Sequence, residues 1–367
     1  RCHHASCEIN KSQLFIFGGY YTNSKRLNDS FVLKVTPTGY SWFQPPNQKY
    51  LTDPQNFESK IGAPEPRANH TVTYIKELNR VYVIGGHGGV NYSRRAFNDV
   101  HYIDCETWEW TKVEVNGPQP EPRGGHVAGQ LLSQNKIFIQ GGWSAVSQFS
   151  NMFILDIDKN IWVEVNLNFE TPRWNHSAIM IQALPQWKLF FIGGSSGYFE
   201  EGSQRNFGSL TSSILYLDLD DNLESSKVKK VKLDKEEFQL KNRENTAVIY
   251  DQSERRIIVF GGWSNSFNND LCQLQVSSIT GPEYAIYNIE PKLGPLTGGT
   301  KCRIFGEGFK GTQSFYVRFT FGKYSQDVQG AFVDEKEIAC ETPNFESAGP
   351  KEVEVKIWTD RGDLTIT

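Results

Sequence analysis

Methionine is nearly absent, with two residues in 367, and cysteine is sparse, with six. Cys2, Cys7, Cys105, Cys272, Cys302 and Cys340 form no Cys-x-x-Cys pair and no zinc spacing, which removes the commonest thiol-based metal sites. Scattered along a chain of this length they read as reduced thiols, mostly buried, in a reducing compartment. Charge of one sign is missing too. A net charge of −4 offers no basic field of the kind a nucleic-acid binder presents. No apolar run approaches the roughly 18 residues that a membrane-crossing helix requires, and no secretory leader is visible. The first residue is Arg1 rather than Met, and the chain reads as a fragment of something longer, with room upstream for a targeting segment. P-loop, nucleophile-elbow and His-Glu-x-x-His motifs are lacking. No catalytic residue, metal ligand or cofactor is expected, and neither nucleic acid nor membrane is expected as a partner.

What the chain has is glycine, with 32 residues, and aromatics, at 13%. Few long segments carry helical periodicity, so the reading is all-β. An apolar run closing on Gly-Gly recurs five times, at Gly18-Gly19, Gly85-Gly86, Gly141-Gly142, Gly193-Gly194 and Gly261-Gly262. The spacings are 67, 56, 52 and 68 residues. Other residues recur in phase. Upstream stands an Arg with His three positions later, at Arg67/His70, Arg123/His126 and Arg173/His176. The first copy has Arg1 with His3 and His4, and the last has Arg243 with Thr246. Downstream comes Asn-Asp at Asn28-Asp29, Asn98-Asp99 and Asn269-Asp270; the third copy keeps Asn151 and the fourth has Ser212-Ser213. A Trp follows in three copies, at Trp42, Trp110 and Trp162.

Physical roles follow. A continuous apolar strand suits burial on both faces. The glycines allow positive φ and close backbone approach, Asn-Asp suits a turn, and the Trp is expected to fill the wedge between neighbouring sheets. This in-phase set resembles the kelch repeat, which implies a β-propeller of five readable blades, six being possible, over residues 1–285. The histidines fall at one place in successive repeats and are expected to be structural. The arginines after Pro are expected to bond backbone carbonyls. The glycosylation sequons at Asn28, Asn69, Asn91 and Asn175 fall largely within the repeat motifs and read as chance matches.

Beyond the repeats, Tyr284–Ile289 reads as the last blade's outer strand running into a linker. Pro291, Gly294-Pro295, Gly298-Gly299-Thr300, Gly306-x-Gly308-Phe309 and Cys340-x-Thr342-Pro343 then resemble an IPT/TIG domain, an Ig-like β-sandwich over residues 286–367. Some propellers similar to kelch are copper oxidases with Tyr, Cys and His ligands; nothing here marks such a set, and Cys105 and Cys272 sit where third strands are expected to bury them.

Loops on rigid scaffolds carry function, and Tyr, Trp and Arg dominate interface energetics. Candidate partner-binding residues in the loops after Gly-Gly are therefore Tyr20, Tyr21, Tyr92, Arg94, Arg95, Trp143, Tyr198, Phe199, Trp263 and Phe267. The alternative is that Trp143 and Trp263 close the central channel. The lysine run from Lys227 to Lys235 reads as a guarded edge strand, with an acidic surface as its sharper possibility, and Arg361-Gly362-Asp363 as a turn. Kelch followed by IPT/TIG is similar to the N-terminal tail region of axonemal outer-arm dynein heavy chains of the alpha type found in ciliates and green algae. That resemblance implies a scaffolding module in the cytoplasm or ciliary axoneme, docking on dynein-arm subunits, a neighbouring heavy chain or axonemal components. The rivals are a secreted or cell-surface recognition module and a propeller oxidase.

Overall fold

A computed structural model describes the chain apart from residues 23–24, 47–61, 90–94, 132–133, 168, 170, 184–185, 198–208, 220–226, 232–239, 253, 282–283, 323, 350–351 and 360–367. Antiparallel strands in up-and-down order build five consecutive sheets. Blade 1 comprises Ala5–Asn10, Gln13–Thr22, Lys25–Thr36 and Gly39–Phe43. Blade 2 comprises Thr71–Ile75, Arg80–Gly88, Arg95–Asp104 and Trp110–Val113. Blade 3 comprises Val127–Gln130, Lys136–Gln140, Met152–Asp156 and Ile161–Val165. Blade 4 comprises Ser177–Ala183, Gln186–Ile192, Ile214–Leu219 and the short Lys229–Lys230. Blade 5 has three described strands, Ala247–Asp251, Arg256–Phe260 and Leu271–Gln275. The first strands of successive blades adjoin one another, so they line the centre and the fourth strands lie outside. This is the propeller that the in-phase repeat implies.

The apolar second strands serve two joints at once, because strand side chains alternate between faces. In blade 2, Val81 and Val83 pack back onto Phe15, Phe17 and Val32 of blade 1. The intervening Tyr82 and Ile84 pack forward onto Ile137, Ile139 and Trp162 of blade 3. The pattern continues with Leu189 and Phe191 facing blade 3, and Phe190 and Ile192 facing Ile257 and Val259 of blade 5. A one-sided amphipathic strand would satisfy only one neighbour.

The diglycines are required by approach as well as by φ. At Gly85 (φ +61) an added Cβ would lie 2.8 Å from the Arg123 carbonyl oxygen and 2.9 Å from the His126 ring of the next blade. At Gly86 (φ +99) it would meet the Ala68 carbonyl and the His70 side chain of its own blade. The Gly86 N–H donates to the Arg123 carbonyl at 2.8 Å. Gly19, Gly142 and Gly194 donate likewise to Arg67, Arg173 and Arg243.

Each of these arginines therefore belongs to two blades. Its backbone is bonded to the blade before: the Arg67 N–H donates to Leu27 and the Arg67 carbonyl accepts from Gly19. Its side chain is held by its own blade. Arg67 donates to the Gly85 carbonyl at 2.9 Å and, through both terminal nitrogens, to the Asp99 carboxylate at 2.7 and 2.8 Å. Arg1 pairs with Asp29 and Arg243 with Asp270 in the same bidentate way. Where the Asp is missing, Asn151 accepts from Arg123 and Ser213 from Arg173. In blades 1 and 2 the Asn of the pair reaches forward instead, Asn28 to the Pro64 carbonyl and Asn98 to that of Pro120. The pair thus clamps two blades, a larger role than the turn expected from sequence. Burial pushes Arg123 and Arg173 down to about 10, still cationic at neutral pH.

Several sequence expectations are corrected. Trp162 is fully buried and Trp110 packs against Phe17 with ring centroids 5.1 Å apart, but Trp42 is 55% exposed. It lies on the face of blade 1 that looks away from blade 2, where no described blade adjoins. The cysteines are free, yet only Cys302 and Cys340 are buried; Cys7, Cys105 and Cys272 are half-buried and Cys2 is exposed. Lys229 and Lys230 form the outer strand of blade 4, where Lys229 pairs with Asp218. Lys232, Lys235 and the Arg361-Gly362-Asp363 turn lie outside the described residues.

Tyr284–Ile289 is not the outer strand of blade 5. Ala285–Glu290 pairs with Lys301–Glu307 and opens a six-stranded sheet. That sheet runs Ala285–Glu290, Lys301–Glu307, Glu337–Glu341, Tyr324–Asp334, Phe315–Phe321, Glu354–Thr359. An alternating apolar stretch carries no mark of which sheet it will join. The long Tyr324–Asp334 strand serves both arms, pairing with Phe315–Phe321 through its first half and Glu337–Glu341 through its second. Between the arms lie Cys302, Ile304, Phe309, Phe315, Val317, Ile338 and Ile357. This is the Ig-like unit expected.

Two outcomes follow. Gly85→Ala is expected to cost roughly 3 kcal/mol, the left-handed backbone term plus overpacking against the Arg123 carbonyl. Gly322→Ala, at φ +53 with open space around it, is expected to cost about 1 kcal/mol from backbone alone. Urea denaturation of the two variants checks the difference. The second concerns pH. Burial, with Arg123 beside it, pushes the His126 imidazole down to about 3, and holds His70 and His176 well below the ordinary value. The unfolded chain takes up these protons near pH 6.5 and the folded chain does not. Stability is therefore complete above about pH 6.5 and falls as pH drops, by ~1.4 kcal/mol per pH unit for each histidine. His126→Gln is expected to remove about a third of the slope between pH 6.5 and 5 in denaturation midpoints, the other two histidines keeping theirs.

Candidate binding face

The residue after each diglycine occupies one equivalent place per blade. Tyr20, His87, Trp143, Ser195 and Trp263 pair with Cys2, Ala68, Gly124, Trp174 and Glu244, each the residue following the joint arginine. The next residue along each of these segments has positive φ: His3, Asn69, Gly125, Asn175 and Asn245. Their backbones are linked across the blades. Asn69 donates to His3, Gly125 to Asn69, Asn175 to Gly125 and Asn245 to Asn175, at 2.7 to 3.0 Å. This chain of bonds fixes where the five loops begin, so their variable side chains project from a rigid inner rim.

The side chains divide into two sets. His87 is buried and lies against Trp143, ring centroids 4.2 Å apart. Trp143 is half-buried, and its indole nitrogen would lie 3.1 Å from a Cβ at Gly125. This pair packs inward. Tyr20 is half-buried between the Arg26 guanidinium and the His3 ring. Facing outward are Tyr21 at 70% exposure, Trp263 at 38% and Phe267 at 93%. Trp263 is bridged to both Glu244 and Phe267, so the two aromatics project from one tight turn, closed by Asn268 bonds to Gly262 and Ser264. Arg95 is exposed at the edge of blade 2, with Glu65 at 3.5 Å and the Phe97 ring beneath its guanidinium. Tyr92, Arg94, Tyr198 and Phe199 lie outside the described residues.

Two positions that sequence reasoning left out are His87 and Ser195. Phase alone identifies both, since each directly follows a diglycine. Ser195 donates to Glu244 at 2.8 Å, and Asn175 donates to the other side of the same carboxylate oxygen at 3.1 Å. Among the described residues no group of His, Cys, Asp and Glu is disposed to hold a metal.

The comparisons agree with this architecture. The description KLHDC2/KLHL20/DRC7 Kelch-repeats domain matches residues 1–194, and the IPT/TIG domain matches residues 285–365. The flagellar outer-arm dynein alpha chain of Chlamydomonas reinhardtii is 27% identical over 384 aligned residues, covering 100% of this chain and 8% of that protein. Dynein heavy chain-like protein 2 of Plasmodium falciparum is 22% identical over 334 residues, 80% of this chain and 6% of the relative. Kelch domain-containing protein 1 of Mus musculus is 28% identical over 205 residues, 52% of this chain and 47% of the relative. The chain thus spans a small part of the dynein relatives and about half of the kelch relative. Neither matched domain type is catalytic. With the matched repeats reaching over half its length, the chain belongs to the kelch-repeat family and carries an IPT/TIG domain after its propeller.

Proposed function

We propose that this chain is the docking part of an axonemal outer-arm dynein heavy chain, working in a cilium or flagellum. In this reading it holds a neighbouring dynein-arm or axonemal protein against the face that carries Tyr21, Trp263 and Phe267. The observation that supports it most is the end-to-end alignment with the flagellar alpha chain, which takes in the propeller and the IPT/TIG domain together. Kelch domain-containing protein 1 aligns over 205 residues, about half of this chain. The choice of face rests on exposure and residue type. Phe267 and Tyr21 are large apolar side chains left in water at the rim of a rigid scaffold, and truncating a central aromatic anchor commonly costs 2 kcal/mol or more of binding, by order of magnitude.

The reading is checked by incubating the purified chain with axonemes stripped of their outer arms and with isolated outer-arm particles. Saturable binding to one of the two is expected, weakened about tenfold or more by Trp263→Ala with Phe267→Ala. Leu293→Ala, exposed between the first two strands of the IPT/TIG sheet, is the control and leaves binding unchanged. Binding to neither preparation overturns the dynein reading. Binding that the double variant retains in full overturns the face.

A further inference from the structure

In blades 1, 2, 3 and 5 the residue just before the second strand offers its carbonyl to an N–H at the end of the third. Ser12 accepts from Val35, Asn79 from Cys105, Asn135 from Ile157 and Arg255 from Val276, at 2.8 to 3.2 Å. In blade 2 this residue sits at φ +50, a left-handed conformation in which Asn is enriched. Blade 5 keeps the same φ of +50 but places Arg255 there. A left-handed backbone costs a long side chain about 1 kcal/mol or more, and this one is also buried, at 8% exposure. Strain held at one copy of a repeat points to a task that the other copies lack.

The path of the chain shows the task. Past this tie, blades 1, 2 and 3 turn back into a fourth strand. Blade 5 instead makes one helical turn, Ser277–Thr280, and the chain passes to the IPT/TIG domain. The Arg255 guanidinium donates to the Gly281 carbonyl at 3.0 Å, in a buried bond. The turn is also held from within. Thr280 is buried and donates through Oγ1 to the Val276 carbonyl at 3.0 Å. Ile279 packs on the apolar joint between blades 4 and 5.

The far side is equally anchored. Tyr284 is buried in the IPT/TIG core against Phe309 and Phe315, with ring centroids 6.0 and 5.8 Å apart, and its hydroxyl donates to the Ile357 carbonyl at 3.4 Å. Three peptide steps lead from Gly281 to Tyr284, a reach of at most ~11 Å. The place of the tie on the propeller is fixed as well. Arg255 immediately precedes the strand Arg256–Phe260, and Trp263 follows that strand past the diglycine. About 16 Å of strand therefore separates the two ends.

We propose that Arg255 is a latch that seats the IPT/TIG domain on the end of the propeller opposite the candidate binding face. With the latch closed, propeller and IPT/TIG domain form one rigid, two-ended body, whichever protein docks on Tyr21, Trp263 and Phe267. Arg255 acts as a positioning residue, holding a carbonyl that lies beyond the last described strand of its blade. Without that bond the domains are free to swing, the default for domains joined by a short connection.

Double electron–electron resonance on the whole chain tests this, with spin labels on unnatural residues so that the free thiols stay unlabelled. One label pair spans the domains, at Val163 of blade 3 and Val333 of the IPT/TIG sheet. A second, Val163 with Tyr40, stays within the propeller; all three are exposed strand positions. The cross-domain distance distribution is expected to be as narrow as the one within the propeller. Arg255→Asn restores the residue that blades 2 and 3 carry, suits φ +50 and is too short to reach Gly281. It is expected to widen the cross-domain distribution at least about twofold, with the propeller pair unchanged and the urea midpoint unchanged or raised. Arg255→Lys, which keeps a reachable donor, is expected to keep the distribution narrow. A broad cross-domain distribution in the unsubstituted chain overturns the latch, and so does one that Arg255→Asn leaves narrow. A lowered midpoint or a broadened propeller pair in Arg255→Asn overturns it too, because Arg255 then holds blade 5 together rather than the domain beside it.

Discussion

One buried arginine in each of blades 2 to 5 carries the architecture. Its backbone is hydrogen-bonded to the preceding sheet at both N–H and C=O, and its guanidinium is locked onto the following sheet's diglycine carbonyl and aspartate. A guanidinium taken out of water is costly unless its donors are satisfied. Here the partners stand in fixed positions on the blade's own second and third strands, so the charge is compensated only when that blade is folded. The same residue then offers its carbonyl to the glycine behind it. Blade folding and blade docking are thereby coupled through one side chain, which is why the repeat tolerates spacings that vary from 52 to 68 residues between diglycines while keeping these few residues in phase.

The departures from the repeat show what the joint can give up. Blade 3 replaces the aspartate with Asn151, and Glu121 supplies the negative charge to Arg123 instead. Blade 4 replaces it with Ser213, whose backbone carbonyl and hydroxyl both accept from Arg173. In each case the acceptor geometry at that position is kept, and in blade 4 the charge is not. Blade 5 gives up the histidine, and Thr246 receives Ser177 from blade 4 at the same height. Hydrogen bonds to the arginine are thus more strictly kept than the ring that packs beneath the glycine.

Much of this was legible in the sequence because it depends on residues for which no substitute exists. Only glycine fits at Gly85 and Gly86, so the diglycine marks every blade. The two-faced second strand was legible as an uninterrupted apolar run. The Arg–Asp pair was not, since Arg67 and Asp99 stand 32 residues apart and nothing local distinguishes a clamp from a turn. Trp42 and Tyr284–Ile289 failed for a related reason. Composition says that a tryptophan or an alternating strand wants a partner surface, and only the fold says whether that surface is present, and in which sheet. At the candidate face, Phe267 and Tyr21 could be picked by type, whereas the inward turn of Trp143 onto His87 required the phase of two blades together.

The binding face and the joints draw on the same geometry for opposite ends. Immediately after each diglycine the chain is pinned, by a bridge to the residue following the arginine and by the blade-to-blade chain of positive-φ residues. One residue further on it is released into a loop whose composition is unconstrained by packing. Conformational entropy lost on binding is smallest for side chains whose backbone is already fixed. A tight turn holding Trp263 and Phe267 beside such a pin therefore presents large apolar area at little ordering cost, and the joint arginine that holds blade 5 on blade 4 also sets the position of that turn. The loops can diverge from one chain to another without disturbing the blades, because the pinning bonds are made before the loops begin.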